Sequence, residues 1–391
     1  DAWSNVLDPE TGAMYSVPEL NSALSARMHP KMFFNKKMLE AVGGKVPTTT
    51  DELYELLVKV RDADANGNGD ANDEIGVTSN GLSNVLRAFT GAFGLNNRGR
   101  EDLSVDADPS DPTKIRFVYT CDSYRQYLAY VAKLYQEGLI DPELFELSTA
   151  KMVAKGSQDM IFCLSYINCQ AASVNADDYV GLEVALKGPN GDQQWNNMNK
   201  GVGLGAFAIS PTCKDPATLV RWIDSFYTDE GAKMFYFGKE GEDFYYDENG
   251  LPAYNQEILD QVSAENPYDK VISAISPYAS GTLPVLIKDE FFCGAECRGV
   301  NLETAKNLEP YVNQITWKFN FTTEESEELS PLTADLITNC HDVYRAKFIK
   351  GELDVNDDAA WQSYVDEMQS LGLERYIEIY QGALDRMQAQ N

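Results

Sequence analysis

Histidine is nearly absent from this sequence, and so are the common motifs of catalytic sites. The two histidines, His29 and His341, are too few for most metal centres and catalytic triads built on this residue. No G-x-S-x-G, H-E-x-x-H, P-loop or G-x-G-x-x-G motif occurs along the chain. We therefore expect a protein that is not an enzyme. A calcium-stabilised glycoside hydrolase with two carboxylates stays as an alternative, because a chain so rich in acids contains suitably spaced pairs by chance.

Positive charge and long apolar runs are also scarce. The 391 residues include 32 Lys and Arg against 61 Asp and Glu, which gives a net charge of −29. Such a field repels phosphate backbones and anionic lipids, so we expect no nucleic-acid partner. No stretch approaches the roughly 18 apolar residues of a membrane span. The chain does not open with a basic and then apolar segment, so we expect any export signal to lie outside this sequence.

The seven cysteines are too scattered for a disulfide scaffold, and no C-x-x-C motif is present. Cys293 and Cys297, in CGAEC, are compatible with a local bridge or with two buried thiols. We expect mostly free thiols.

What the chain does contain is an alternation of strand-like and helix-like segments. Residues 13–35 predict a strand, a polar crossing and a second strand. The segment KVPTTTDELYELLVKVRD predicts a helix, with a capping box from Thr49 and Glu52. Its apolar positions fall at helical spacing on one face. They are Leu53, Leu56, Leu57 and Val60.

Further helices are predicted at 121–137, at 217–235 and through most of the chain after residue 322. Residues 203–210, GLGAFAIS, predict a buried strand that ends at Pro211. Periodic apolar positions in the tail include Trp361, Tyr364, Met368, Tyr376, Ile379 and Ala383. Strands that alternate with helices indicate an α/β protein.

Residues 62–74, DADANGNGDANDE, are far richer in acids, amides and glycine than a turn requires. Their oxygen ligands and glycines match calcium better than magnesium. A twelve-residue EF-hand register starts at Asp62 and ends at Asp73. A second register starts at Asp64 and closes with Asp73 and Glu74. We expect a calcium site instead of a simple solvated turn. Because no clear helix follows the loop, as a calcium sensor would need, we expect the site to be structural.

Several stretches together resemble family 1 extracellular solute-binding proteins of bacterial ABC transporters. The similar group is the long, calcium-containing branch with the LplA-like lipoproteins and the alginate-binding proteins. The matching stretches are MYSVPEL, MFFNKKMLEAVGGKVPTTTDELYELL, the DANGNG…DEIG loop, FAISPTCKDPATLVRWIDSFYTDEGAKMFYFGKEGEDFYYDENGLP, FTTEESEELSPLTADLITNCHDVYRAKFIKGEL and LGLERYIEIYQGALDR.

For the whole chain, the resemblance implies an α/β, periplasmic-binding-protein-like type II fold with two lobes joined by hinge crossings and a helical C-terminal tail. Residues 1–24 would be a remnant of the N-terminal lobe and the first crossing, and 25–203 the C-terminal lobe with the calcium loop. Residues 204–305 would return to the N-terminal lobe, and 306–391 would form a helical tail on the C-terminal lobe. The first part of the N-terminal lobe would then be missing from this chain.

For the calcium loop the resemblance supports the second register. It implies Ca²⁺ ligands at Asp64, Asn66, Asn68, the carbonyl of Asp70, Asp73 and Glu74. This loop is one residue longer before Asp-Glu than the family pattern, so the roles of Asn72, Asp73 and Glu74 stay open.

The implied function is capture of a solute and its delivery to the membrane permease of an ABC importer. We expect an extracellular, monomeric cell-surface lipoprotein whose signal and anchor lie outside this chain. Aromatic residues favour carbohydrate as the solute, since sugar faces stack on rings. The candidate ligand-binding residues are Tyr15, Glu19, Phe34, Asn35, Tyr166, Asn168, Trp195 (in a loop expected to be exposed) and Trp317. Trp222 and Trp361 are expected to pack on helix faces.

The acidic balance favours a neutral oligosaccharide over a uronic one. An acidic sugar would need a local basic cluster, for which Arg27, Lys31, Lys36 and Lys37 are the candidates. A peptide-like solute is a further alternative. An adhesion module would instead have no small-ligand cleft.

Overall fold

The computed structural model contains a four-stranded and a three-stranded β-sheet, two further two-stranded sheets, and surrounding helices. It describes residues 6–7, 11–95, 104–173, 176–197, 201–248, 250–263, 265–266, 268–276, 286–312 and 319–389. The strands are β1 (Val17–Asn21), β2 (Lys31–Asn35), β3 (Ile75–Thr78), β4 (Val105–Asp108), β5 (Asp111–Phe117), β6 (Ile161–Tyr166), β7 (Tyr179–Gly181), β8 (Gly201–Phe207), β9 (Phe244–Tyr246), β10 (Pro252–Tyr254) and β11 (Leu286–Ile287).

The α-helices are α1 (Leu24–Arg27), α2 (Lys36–Ala41), α3 (Thr50–Arg61), α4 (Leu82–Thr90), α5 (Asp122–Gln136), α6 (Thr149–Gly156), α7 (Pro216–Asp224), α8 (Asp229–Phe237), α9 (Gln256–Leu259), α10 (Tyr268–Ile272), α11 (Gly299–Leu308), α12 (Thr323–Thr333), α13 (Asp342–Lys350), α14 (Asp358–Ser370) and α15 (Leu373–Ala389). A π-helical segment, Ala334–His341, joins α12 to α13. Within the described ranges, no helix is both long enough and apolar enough to cross a membrane.

The larger sheet has the strand order β3-β6-β2-β7, the smaller one has the order β11-β1-β8, and the two-stranded sheets are β4-β5 and β10-β9. Strands β3 and β6 are parallel, while β2 is antiparallel to both of its neighbours. The two strands predicted within residues 13–35 are therefore confirmed as β1 and β2, and they belong to different sheets. The sequence predicted a polar crossing between them, and the crossing does contain Ser25, Arg27 and His29, all of which are buried. Residues 23–30 are all buried, because this segment packs against both parts of the molecule.

Helix α3 forms because its first turn is capped and one face is apolar. The Thr49 hydroxyl accepts a hydrogen bond from the Glu52 backbone N–H at 3.0 Å. The Glu52 carboxylate accepts from the N–H and the hydroxyl of Thr48, and these two bonds lower its pKa. The predicted cap is thus formed by three residues instead of two. The predicted apolar face is confirmed, since Leu53, Leu56, Leu57 and Val60 are all buried.

The main hydrophobic core combines the larger sheet with the helical tail. Trp361, Tyr364, Met368, Tyr376, Ile379 and Ala383 are buried there, as the periodicity predicted. Tyr364 also donates to the Tyr119 carbonyl, and the Tyr376 hydroxyl is 2.8 Å from the Ser104 hydroxyl. The tail therefore shares the apolar core of the larger sheet and is held by polar contacts to the residues that flank the β4-β5 pair.

A second, separate core lies under the smaller sheet, where Tyr236, Phe237 and Tyr254 are fully buried. Two predictions for this region are wrong. Strand β8 exists, but those of its residues whose burial is described (202, 203 and 205–207) are half-buried or exposed, and the helix expected at 217–235 is divided by a 3-10 turn at Ser225–Tyr227. Trp222 does not pack into a core either, because 54% of its surface is exposed. All seven cysteines are free thiols, which confirms that expectation.

Lys31 is the most unusual charged residue of the fold, since its side chain is fully buried at the end of the first crossing. The ammonium group donates to the carbonyls of Ser25 at 2.9 Å and Met28 at 3.0 Å. Burial lowers the pKa of Lys31 to about 8, and the neighbouring Cys297, Glu296 and Cys169 oppose that shift only in part. Because the native state favours the neutral amine, charge on Lys31 destabilises the fold below about pH 8.

This gives a prediction about pH. As the pH rises from about 7.5 to about 9, the native amine loses its proton while the unfolded one keeps it, so the destabilisation is relieved. Relative to Lys31→Met, the wild-type free energy of unfolding should increase by about 1 kcal/mol over this range. Denaturant unfolding of both proteins at several pH values measures it. Cys169 and Cys297 are present in both proteins, so their contributions to the pH dependence cancel in the comparison. If the difference in unfolding free energy between the two proteins stayed constant over this pH range, the prediction would be contradicted.

Candidate functional site at the hinge edge

The carboxyl ends of β3 and β6 meet at one edge of the larger sheet, next to the crossing between the two sheets. The antiparallel strand β2 begins at the same edge, with Lys31 opposite Tyr166. The His29 ring meets the Tyr166 ring edge-on, with 5.6 Å between centroids. We call this region the hinge edge. Crevices outside the carboxyl ends of parallel strands are the usual ligand sites of open α/β sheets.

A row of polar side chains follows helix α4 along the hinge edge. Asn84 donates to Asn80 Oδ1 at 2.7 Å, and Asn80 in turn donates to the Thr149 hydroxyl at 3.3 Å. Arg87 follows one turn later and is partly exposed. Ser165, at the end of β6, donates to the Asn84 carbonyl and holds the helix on the sheet. These residues were not among the predicted candidates, although Asn84 and Arg87 are three residues apart and so lie on one face of helix α4.

The segment 194–197 extends this row from the end of α4 toward the smaller sheet. The Gln194 N–H donates to the Gly91 carbonyl at 3.2 Å. A Cβ on Gly91 would lie 2.0 Å from the Gln194 carbonyl oxygen, so glycine is required for this close approach. The Asn196 side chain donates to the Arg87 carbonyl and to the Thr90 hydroxyl.

Trp195 was expected in an exposed loop, and that expectation is wrong. Only 3% of the residue is exposed. Its backbone N–H donates to the Tyr311 carbonyl, and its indole N–H donates to the Pro30 carbonyl at 3.2 Å. Trp195 therefore fixes the segment to the crossing instead of presenting a ring to solvent.

The other predicted ligand-binding residues are widely spread. Tyr166 lies at the hinge edge and is partly exposed. Asn168 is buried close by, where its side chain caps a 3-10 turn by accepting from the Ala171 N–H. Tyr15 is 67% exposed before β1, and Glu19 lies in the smaller sheet opposite Gly203. Trp317 lies outside the described residues.

Phe34 and Asn35 lie at the far end of β2, away from the hinge edge. Phe34 is fully buried against Phe162. The Asn35 side chain accepts from the Met38 N–H and donates to Asp159, at a cavity of about 650 Å³ on the opposite edge of the sheet. The strand direction thus separates both residues from the other candidates.

The basic cluster that an acidic sugar would need is not formed. The Lys31 ammonium is used by backbone carbonyls, and Lys37 pairs with Asp159 at the far edge beside Lys36. Arg27 is buried, which lowers its pKa against the opposing charges of Asp289 and Glu309. The expectation that these four residues line one site is wrong.

The acidic loop lies where β3 begins, at the sheet edge opposite the hinge edge. Asp62 pairs with Arg61 at 2.8 Å, outside the loop. Asp64 points inward, and its two carboxylate oxygens accept from the N–H groups of Asn68 and Gly69. Gly69 has φ +96°, which L side chains rarely adopt. The loop therefore coils around Asp64, as the second register requires.

The remaining candidate metal ligands converge on the same loop interior. Asp73 accepts from the side-chain amides of Asn66 and Asn68, while the Asp70 carboxylate accepts from Asn72. Glu74 Oε1 accepts from the Asn66 N–H, and its buried Oε2 has no hydrogen-bond partner. Among the described residues, no group of three or more acidic, histidine or cysteine side chains converges as a metal site. The unpartnered oxygen nevertheless fits a hard cation, and the donor set is one of oxygens.

Comparisons of the sequence and of the fold identify proteins that are similar to this chain. No protein-family model matches the sequence. The chain is 24% identical over 400 residues to FusA of Streptococcus pneumoniae, a fructooligosaccharide ABC transporter substrate-binding protein, across 97% of this chain and 70% of FusA. It is 30% identical over 176 residues to lipoprotein LipO of Bacillus subtilis, across 41% of this chain and 33% of LipO.

Solved structures give the same result. The FusA complex with kestose superposes with a TM-score of 0.77 at 22% identity, over 99% of this chain and 79% of that one. The alginate-binding protein AlgQ2 without calcium gives 0.76 at 17% identity, over 98% and 77%.

FusA is an ABC-transporter substrate-binding protein, and AlgQ2 is an alginate-binding protein. The predicted resemblance to ABC-transporter solute-binding proteins and the α/β fold of two-lobed solute-binding proteins are confirmed, while the calcium-containing branch and the missing first part of the N-terminal lobe stay predictions. The expectation of a protein that is not an enzyme is confirmed too, since FusA is a substrate-binding protein.

The close contact at Gly91 gives a second prediction. Replacing Gly91 with Ala should push segment 194–197 away from α4 and cost about 2 kcal/mol of stability, because the new methyl group meets backbone atoms that have little room to move. Denaturant unfolding measures the loss. The control is Gly81→Ala at the other end of the same helix, where a Cβ meets nothing within 4 Å and the backbone is extended. Equal stability of the two variants would contradict the proposed contact.

Proposed function

We propose that this chain captures an oligosaccharide between its two lobes and delivers it to the permease of an ABC importer. The observation that carries the proposal is the match to FusA, which extends over 97% of this chain. FusA is solved with kestose, and a neighbour from Bifidobacterium longum infantis is described as binding HMO. The polar hinge edge beside the aromatic ring of Tyr166 supports the same solute class, because sugars need polar partners and ring faces.

We also propose the lobe boundaries 1–24, 25–203, 204–305 and 306–391. Two separate cores support the division between 25–203 and 204–305: one unites the larger sheet with the tail, and the other lies beneath residues 232–297. We further propose a monomeric protein anchored at the outer face of a bacterial membrane, and the similarity to lipoprotein LipO supports the anchor.

For the acidic loop we propose a structural calcium ion bound by Asp64, Asn66, Asn68, the Asp70 carbonyl, Asp73 and Glu74. One neighbour is described as an EF-hand mutant of FusA and another as AlgQ2 without calcium ion. Bound calcium would supply positive charge to balance the carboxylates of the loop. The protein's own groups then hold the turn: Asp64 orients the backbone N–H groups, and Glu74 leads directly into β3.

A third prediction separates the two registers. Asp64→Ala should lower the melting temperature in calcium and remove the further loss that EDTA causes in the wild type, because the ion stabilises only the folded state. Asp62→Ala is the matched control, since Asp62 pairs with Arg61 and faces away from the loop interior. Calorimetric melting with and without EDTA measures both. A wild-type melting curve that EDTA does not change would leave the loop as a solvated turn.

A fourth prediction tests the function itself. Titration calorimetry in calcium should show that the protein binds one class of oligosaccharide from a panel of kestose, a neutral milk oligosaccharide and a uronic trisaccharide. Bound sugar should be recovered intact. Release of new reducing ends would favour the glycoside hydrolase. If none of the sugars in the panel bound, sugar capture would be contradicted.

A further inference from the structure

Two side-chain oxygens in the segment 194–197 lack any hydrogen-bond partner. They are Oε1 of Gln194 and Oδ1 of Asn197, and Asn197 as a whole is only 8% exposed. Buried polar atoms are almost always paired, because an unpaired one loses its hydration without compensation. Each such atom in a native structure therefore requires an explanation.

The neighbouring amides show that the segment itself does not prevent pairing. Gln193 donates to the Ala185 carbonyl at 2.7 Å, and Asn196 donates to two groups on α4. These bonds use the amide N–H groups of Gln193 and Asn196. By contrast, the side-chain oxygens of Gln194 and Asn197 are buried without a donor.

Gln194 and Asn197 flank Trp195 and Asn196, which bond to the crossing and to helix α4 of the polar row. Gln194 is held at the end of α4 by its bond to Gly91, and Asn197 stands three residues on, shortly before β8 begins. The row behind them consists of Asn80, Asn84, Arg87 and Asn196. Three of these four side chains are carboxamides, Arg87 alone is charged, and none is acidic, although the whole chain carries 61 Asp and Glu. Carboxamides accept and donate hydrogen bonds without charge, which is also what sugar hydroxyls do.

We propose that Gln194 and Asn197 are specificity-determining residues of the solute site, and that their free oxygens accept hydrogen bonds from hydroxyl groups of an uncharged, polyhydroxylated solute. This inference rests on the proposed function. A hydroxyl can donate to both oxygens, whereas a carboxylate at the same place cannot donate and would leave them unpaired. The site therefore discriminates in favour of neutral oligosaccharides over uronic ones.

The test replaces each residue by an apolar one of similar shape, Gln194→Met and Asn197→Leu, singly and together. Each single change should weaken kestose binding about tenfold, as expected for the loss of a hydrogen bond in a desolvated site. The melting temperature of the ligand-free protein should stay the same or rise, because the unpaired oxygen no longer has to be buried. A merely structural role would instead lower stability and leave the dissociation constant unchanged.

Matched controls lie in the same segment. Gln193→Met should leave kestose affinity unchanged, and Asn196→Leu should lower the melting temperature, since both remove bonds that the protein makes to itself. Asn197→Asp keeps oxygen acceptors at the same position and should lose less affinity than Asn197→Leu. It also tests the residue if the leucine variant does not fold.

The outcomes separate the inference from the proposed function. Wild-type binding to kestose with an unchanged dissociation constant in the double variant would overturn the inference alone. Wild-type preference for the uronic trisaccharide would do the same. No wild-type binding to any sugar of the panel would overturn the proposed function, and this inference with it.

Discussion

The buried crossing between β1 and β2 is the constraint on which the arrangement of the molecule depends. Its eight residues, 23–30, lie between the two cores and are contacted from both. Ser25 donates to the Glu296 carbonyl, Asp289 accepts from the Leu24 N–H, and the Pro30 carbonyl accepts from Trp195. A single short segment thus connects the smaller sheet, the larger sheet and the segment that carries the candidate recognition residues. A change in its packing would reach all three.

Lys31 shows what such packing costs. A charged amine is held in a region without solvent because two backbone carbonyls of the crossing need a donor. The hydrogen bonds offset only part of the desolvation, so the charged form is disfavoured. Lys31, a candidate for binding an acidic sugar, therefore stabilises the crossing instead. Lys37 is not available to an acidic sugar at the hinge edge either, because it pairs with Asp159 at the opposite sheet edge.

The two ends of the larger sheet carry different chemistry. Acidic and amide oxygens gather where β3 begins, and uncharged carboxamides gather where it ends. In the acidic loop, amide and backbone N–H groups satisfy most carboxylate oxygens, and the buried Oε2 of Glu74 stays unpaired. In segment 194–197, Oε1 of Gln194 and Oδ1 of Asn197 are unpaired neutral acceptors. The sheet separates a site suited to a hard cation from one suited to hydroxyl groups, so removing the ion should act on stability without touching the recognition residues.

The sequence by itself determined the elements with strong local signals. Helix α3 follows from its cap and its apolar face, the tail from long-range periodicity, and the acidic loop from alternating oxygen ligands and glycines, since each depends on residues close together in the chain. Only the tertiary structure decided which side chains meet. Phe34 and Asn35 share strand β2 with Lys31, yet strand direction carries them to the far edge, while Asn196 from a distant segment bonds to Arg87 and Thr90 of helix α4. Trp195 became buried and Trp222 exposed for the same reason: burial depends on which other segment lies against a side chain, and local pattern does not record it.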